Sequence, residues 1–179
     1  MKNVFSLLFV MALCSIISSC SSDDESKTVE IIPQTTFTVN GVEYKTTVEE
    51  TLLQKGNMCT IVASNATEEK LKLWLDIDNF YPLWVYNIEN IVGEELRIKN
   101  ENNERRISIN FDNDKDFKET LCRFNSGKMI CSGCTDFSVT ISFENFSFTR
   151  TELNHDNKKT YTNYTINGKI TIRREVYVA

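Results

Sequence analysis

The feature that most constrains the fold is a strict two-residue alternation of side-chain types between Lys70 and Asp78. One set is aliphatic and consists of Leu71, Leu73, Leu75 and Ile77. The other set contains Lys70, Lys72, Trp74, Asp76 and Asp78. Because successive side chains of a β-strand point to opposite faces, this segment is predicted to be a strand with one face in a core.

The same alternation recurs over Arg106 to Phe111 and over Asp136 to Glu144. After Phe143 the apolar phase slips by one residue, to Phe146 and Phe148, as it does at a β-bulge. Eight to ten short strands of this kind, with turn residues between them, predict an all-β antiparallel domain. We favour a β-sandwich, and a lipocalin-like barrel is the alternative because both share this signature.

Turn and helix signals complete the expected fold. Asn40-Gly41 separates the strand-like stretches 36–39 and 42–45 and predicts a tight hairpin. The same dipeptide, Asn167-Gly168, stands between the β-rich stretches 160–166 and 169–178. Thr47-Val48-Glu49-Glu50 has a helix-capping pattern ahead of Gly56, which predicts at most one short helix of about two turns.

The start of the chain has the form of an export signal. A basic Lys2 precedes the apolar run Val4 to Leu13, which has the length of a secretory core and is too short to span a bilayer. The run is followed by Ile17-Ser18-Ser19-Cys20, which resembles the lipobox of bacterial lipoproteins. The resemblance implies that Cys20 is lipidated and that its acyl chains anchor the protein to a membrane.

An acidic run, Asp23-Asp24-Glu25, follows the predicted lipidation site. It resembles the surface-export signal of Bacteroidota lipoproteins, and the stretch FTVNGVEYK further on resembles many small Bacteroidota lipoproteins without a defined activity. A solvated linker is the alternative interpretation of this run. The resemblance implies an outer-membrane protein that faces the cell exterior.

These signals divide the chain into a signal peptide (1–19), a lipidated tether (20–34) and a single all-β domain (35–179). Removal of residues 1–19 leaves 160 residues, enough for one domain with a substantial core. Only Lys2 is charged in the removed segment, so the formal net charge changes from −5 to −6. An acidic chain without a basic stripe is not expected to bind nucleic acid.

Cys59, Cys122, Cys131 and Cys134 would remain as thiols in the mature domain, and an even number in an exported domain favours disulfides. If Ser126-Gly127 is a two-residue turn, Cys122 faces Cys131 at a non-hydrogen-bonded position that suits a bridge. Cys134 would then pair with Cys59. If Asn125-Ser126-Gly127 forms a three-residue loop instead, the register shifts and Cys122 faces Ile130.

Cys131-Ser132-Gly133-Cys134 also has the spacing of a redox motif or of half a zinc site. A redox pair usually opens a helix, whereas a β-patterned run follows here. Tetrahedral zinc often uses two such pairs, and the sequence contains one.

Other candidate chemistry is sparse. Asp112, Asp114 and Asp116 have the alternating spacing of calcium ligands, but Phe117 and Arg123 replace the glycine and glutamate of an EF-hand loop. The alternative is a charged loop between strands. His155 lies in a polar, turn-like stretch, and no hydrolase or phosphate-binding motif is present. We therefore expect no enzymatic activity and no cofactor.

Trp74 is the candidate for ligand binding, because it falls on the polar face of the strand with Lys72, Asp76 and Asp78, and Trp84 follows nearby. A flat indole among hydrogen-bonding groups suits a sugar ring. The alternative is that both tryptophans are buried packing. The expected function is a surface-anchored domain that binds a glycan or an outer-membrane partner protein. A periplasm-facing inhibitor or immunity-type lipoprotein is the alternative.

Overall fold

The computed structural model describes residues 31–54, 57–78, 91–99, 106–112, 114 and 119–174. The predicted lipobox, Cys20 and the acidic run lie outside this part of the chain, as do Trp84 and Asp116. The described residues form ten strands and contain no α-helix. The strands are β1 (Thr36–Val39), β2 (Val42–Thr46), β3 (Leu52–Gln54), β4 (Met58–Ser64), β5 (Lys70–Asp78), β6 (Glu95–Ile98), β7 (Ile107–Phe111), β8 (Glu119–Cys134), β9 (Ser138–Leu153) and β10 (Lys159–Arg174).

The all-β class predicted from the alternation is confirmed. The ten strands belong to one sheet in the order β1-β2-β4-β3-β10-β9-β8-β6-β5-β7, with further pairings of β1 with β10 and of β4 with β5. All pairings are antiparallel except the short one between β3 and β10, so the sheet is mixed. β4 pairs with β5 as well as with β3. Successive pairings therefore lead from β10 through β9, β8, β6, β5, β4 and β3 back to β10.

The hairpin predicted at Asn40-Gly41 is confirmed. Val39 faces Val42, so the loop between β1 and β2 contains two residues. Asn40 has φ 51° and Gly41 has φ 81°, and a two-residue turn with positive φ at both positions matches the right-handed twist of the flanking strands.

Ser126-Gly127 does not form the expected turn, and the hairpin built on it is wrong. Residues 119–134 form one strand of 16 residues that pairs along its length with β9. The register shifts on both sides of Ser126, and Gly127 has φ 92°, so the small residues accommodate a bulge. A Cβ atom on Gly127 would lie 2.1 Å from the carbonyl oxygen of Asn145, which fixes glycine at this position.

Asn167-Gly168 is likewise internal to a strand, because β10 runs without interruption from Lys159 to Arg174. The bulge predicted from the phase slip after Phe143 lies opposite this dipeptide. Phe146 faces Ile166 and Phe143 faces Gly168, so two residues of β9 oppose Asn167 alone.

The short helix predicted after Thr47 is wrong. The capping pattern closes a single turn, in which the amide of Thr51 donates to the carbonyl of Thr47 at 3.0 Å. The buried hydroxyl of Thr51 then bonds to both the carbonyl and the amide of Val62, and Leu52 pairs with Thr60 of β4. These contacts with a neighbouring strand extend the chain into β3 and override the local helix signal.

The core contains the aliphatic face of β5, as the alternation predicts. Leu73, Leu75 and Ile77 are each 0% exposed, and they pack with inward residues of β4, β7, β9 and β10. Among the described residues, no helix is long and apolar enough to cross a membrane.

Candidate functional site

The outer face of β5 carries the exposed indole predicted as a ligand-binding group. Trp74 is 40% exposed, whereas the next residue along β5, Leu75, points to the opposite face and is completely buried. β5 is flanked by β4 and β7, so Trp74 lies between Thr60 on one side and Ser108 on the other. Thr60 is buried, so we refer to Trp74, Lys72, Ser108 and Asn110 as the Trp74 surface.

Lys72 is the charged residue in contact with the indole. Its Nζ atom lies 4.9 Å from the centroid of the Trp74 ring, within the range of a cation–π contact. Asn110 of β7 faces Lys72 of β5, and its side-chain amide donates to the hydroxyl of Ser108 at 3.4 Å. One cation therefore lies over the indole ring, as the position of Lys72 on β5 predicts, and the neutral hydrogen-bonding groups beside it belong to the neighbouring strand β7.

Asp76 does not belong to the open part of this surface, contrary to its predicted role. The residue is 4% exposed, and its carboxylate accepts a hydrogen bond from the guanidinium of Arg106. Lys99 Nζ lies 3.8 Å from the second carboxylate oxygen. Asp76 therefore holds together the ends of three segments of the sheet and has little carboxylate surface left for a ligand.

Asp78 lines a separate cavity of about 420 Å³ formed largely by β6 and β8, to which β9 adds Phe146. Phe124 and Phe146 form part of its wall with their rings stacked at a centroid distance of 5.3 Å, and Met129 lies beside them. Arg97 adds a charged group to the lining. The volume lies within the range of small-molecule sites, and the lining combines apolar side chains with ionic groups.

A buried ionic cluster was not predicted from the sequence. Arg150 on β9 is fully buried, with its guanidinium 2.8 Å from a carboxylate oxygen of Asp114 and 2.8 Å from one of Glu152. Beyond the bulge, Phe146, Phe148, Arg150 and Glu152 alternate on the inner face of β9. The sequence signal for this cluster is that Arg150 and Glu152 continue the two-residue alternation of the buried residues Phe146 and Phe148.

The charges of the cluster support one another against burial. Burial lowers the pKa of Arg150, but the hydrogen bond that its guanidinium donates to Asp114 and the charges of Asp114 and Glu152 outweigh it, so the pKa is raised. Burial raises the pKa of Glu152 despite the opposing charge of Arg150. Tyr164, whose ring stacks on Phe148 at 5.5 Å, also has a raised pKa, chiefly through burial.

The weak calcium candidate loses one ligand to this cluster. The carboxylate of Asp114 accepts hydrogen bonds from Arg150 and from the amide of Phe111, while Asp112 is exposed. Within the described ranges, no three histidine, cysteine, aspartate or glutamate residues are grouped so as to hold a metal ion. Asp116 lies outside those ranges.

The predicted pairing of Cys122 with Cys131 is wrong, because both lie on β8, roughly 30 Å apart along an extended strand. All four described cysteines are free thiols. Cys134 contacts Cys131 rather than Cys59, with 3.1 Å between the two sulfur atoms. Burial raises the pKa values of Cys59 and Cys122, the latter to about 11, so both are packing residues of low reactivity.

His155 is exposed in the turn between β9 and β10, as predicted. The side chain of Asn154 accepts hydrogen bonds from the amides of Asp156 and Lys158 and so shapes this turn.

Comparison of the chain with protein-family models, with curated proteins and with solved structures finds no match.

Proposed function

We propose that this chain is a lipid-anchored, cell-surface binding protein without catalytic activity, whose Trp74 surface stacks against a sugar ring. The single observation that carries the proposal is the 40% exposed indole of Trp74 at the centre of three paired strands. An indole buries a large area on contact, so a ligand that covers it gains hydrophobic free energy.

The groups around the indole suit a carbohydrate. The C–H face of a pyranose ring is apolar and matches a flat aromatic ring, while its hydroxyl groups need donors and acceptors at the edge. Lys72 supplies a donor over one face of the indole, which leaves the other face for the sugar, and Asn110 and Ser108 supply an amide and a hydroxyl on the neighbouring strand. Because β-strands hold these groups, the surface needs little ordering before it binds.

The lipid anchor and the outward location rest on the resemblance of residues 17–25 to a lipobox followed by an acidic export signal. Several acyl chains on Cys20, each buried CH₂ contributing about 0.8 kcal/mol, would hold the domain at the membrane permanently. A binding domain held at the cell surface can capture polymers that cannot enter the cell. A periplasm-facing inhibitor remains the competing proposal.

The binding proposal is tested with the lipidated protein in detergent micelles on an array of bacterial, plant and host glycans. Trp74→Ala should weaken capture about tenfold, which corresponds to the roughly 1.5 kcal/mol of an aromatic contact. Tyr161→Ala is the matched control, since Tyr161 is an exposed aromatic residue on β10 at 66% exposure. A blank array, or equal losses in both variants, would contradict the proposal.

The location is tested separately by protease treatment of intact cells, with lysed cells as control. Digestion of the domain on intact cells is expected. Protection until lysis would contradict surface exposure and would favour the periplasmic inhibitor.

A further inference from the structure

A bulge near the end of β8 brings two cysteines onto the same face of the strand. Cys131 faces Ile141 of β9, Gly133 faces Thr140, and Cys134 faces Val139, so Ser132 is the extra residue. Three residues apart on a regular strand, the two cysteines would point to opposite faces. The extra residue restores the phase, and both cysteines oppose fully buried residues of β9.

The two sulfur atoms are in contact as a result. They lie 3.1 Å apart, about 1 Å more than the length of a disulfide bond. Cys131 is 0% exposed, whereas Cys134 is half-buried, so a reagent in solvent reaches Cys134 first.

We propose that Cys131 and Cys134 form a dithiol–disulfide site within one strand, oxidised by exchange with an external disulfide such as oxidised glutathione or the disulfide of a thiol oxidoreductase. This site is independent of the Trp74 surface. It replaces the pairings of Cys122 with Cys131 and of Cys59 with Cys134 that the sequence suggested.

The exchange takes two balanced steps. The sulfur of Cys134, as thiolate, attacks one sulfur of the external disulfide, which forms a mixed disulfide and releases the first external thiolate. The thiolate of Cys131 then attacks the sulfur of Cys134, which forms the internal disulfide and releases the second. The protons of the two cysteine thiols end on the two released thiolates, and the external disulfide accepts two electrons.

The contact between the two sulfur atoms favours both steps, because it allows proton transfer within the reduced pair and places Cys131 3.1 Å from the sulfur that it attacks in the second step. The hydrogen bond with Cys134 lowers the pKa of Cys131 against the effect of burial, and the same hydrogen bond raises the pKa of Cys134. Cys131 is therefore the thiol of the reduced pair that ionises first, and transfer of the Cys134 proton to it along this hydrogen bond leaves the more exposed sulfur as the thiolate that attacks the external disulfide.

The backbone of Cys131 also connects this site to the turn before β6. Its amide donates to the carbonyl of Glu94 at 3.0 Å, and its carbonyl accepts from the amide of Gly93 at 2.7 Å. The covalent ring closed by the disulfide would contain few residues, so it removes little entropy from the unfolded chain. The protein is expected to stay folded in both redox states.

The test equilibrates the detergent-solubilised lipoprotein in glutathione buffers of graded redox ratio, followed by alkylation, tryptic digestion and mass spectrometry. Cleavage after Lys128 and Arg150 yields a fragment that carries Cys131 and Cys134 and no other cysteine. In oxidising buffer this fragment should lose two hydrogen atoms and resist alkylation. In reducing buffer it should gain two alkyl groups. Circular dichroism at each ratio verifies the fold.

Two variants identify the order of attack. Cys131→Ser should retain glutathione on Cys134 as a trapped mixed disulfide, whereas Cys134→Ser should retain much less because Cys131 is buried. A fragment that stays fully reduced at every ratio in folded protein would overturn the proposal. So would a cross-link between this fragment and the one that contains Cys59.

Discussion

Replacement of Arg150 by methionine tests whether the buried ionic cluster holds the fold together. Methionine preserves much of the unbranched stem and removes the guanidinium. The side chain of Arg150 is 1% exposed, and the side chains of Asp114 and Glu152 are 20% and 10% exposed. The substitution therefore leaves two largely buried carboxylates without the cation that lies 2.8 Å from each.

The expected loss is large for a single substitution. Removal of one partner of a buried ion pair costs about 3–5 kcal/mol, because the remaining charge has lost both its solvent and its partner. For a domain of this size each kcal/mol lowers Tm by roughly 3 °C, so Tm should fall by about 10 °C. The loss should appear in urea denaturation as a lower midpoint with an unchanged slope.

The loss should also depend on pH with a defined sign. Burial already raises the pKa of Glu152, and loss of Arg150 removes the charge that opposes this shift. A carboxyl group whose pKa is raised in the folded state keeps its proton to a higher pH there than in the unfolded chain. Stability therefore falls as pH rises through the window above the ordinary pKa of 4.5. The deficit of the variant should therefore be full at about pH 7 and shrink towards about pH 4.

Two further variants make this prediction refutable. Arg123→Met removes an exposed arginine from the neighbouring strand β8 and should change stability by no more than about 0.5 kcal/mol. Adding Glu152→Gln to Arg150→Met should recover part of the loss, because it removes one of the uncompensated charges. Wild-type stability of Arg150→Met, or a deficit that does not change with pH, would refute the electrostatic reasoning.

Three more outcomes are expected. Gly127→Ala should destabilise the fold well beyond the roughly 1 kcal/mol expected for Gly41→Ala, because both glycines have positive φ but only Gly127 lies against the backbone of β9. Equal urea midpoints would refute this contrast. Burial and a hydrogen bond to Glu69 raise the pKa of Tyr44 from 10.0 to about 12, so stability should fall with rising pH in that window, and less so in Tyr44→Phe. Cys122 should resist a thiol reagent in native protein at about pH 8 and react after denaturation, and rapid native labelling would contradict its burial.

Local sequence determined the strands whose two faces differ in polarity. Lys70–Asp78 is a strand with the bounds that its alternation predicts, and its aliphatic side chains are buried. The phase slip after Phe143 is a bulge, and Asn40-Gly41 is a two-residue turn. Each of these features depends on side-chain alternation or on the φ preference of two residues, which a sequence carries without reference to distant segments.

Small-residue dipeptides had no fixed meaning until neighbouring strands were in place. Asn40-Gly41 reverses the chain, whereas Asn167-Gly168 and Ser126-Gly127 lie inside long strands. At the internal positions a neighbouring strand pairs on both sides of the dipeptide, and these hydrogen bonds favour continuation of the strand. The helix signal after Thr47 yielded to the same kind of contact, through the bonds of Thr51 to Val62.

The candidate sites divide in the same way. The sequence by itself placed Trp74 and Lys72 together on the polar face of a strand, because residues two apart share a face. Only the tertiary structure withdrew Asp76 into an ion pair with Arg106, enclosed Arg150 with Asp114, and brought Cys134 to Cys131. These contacts depend on strand register, bulges and the approach of segments far apart in the chain, and a one-residue change in register alters every partner.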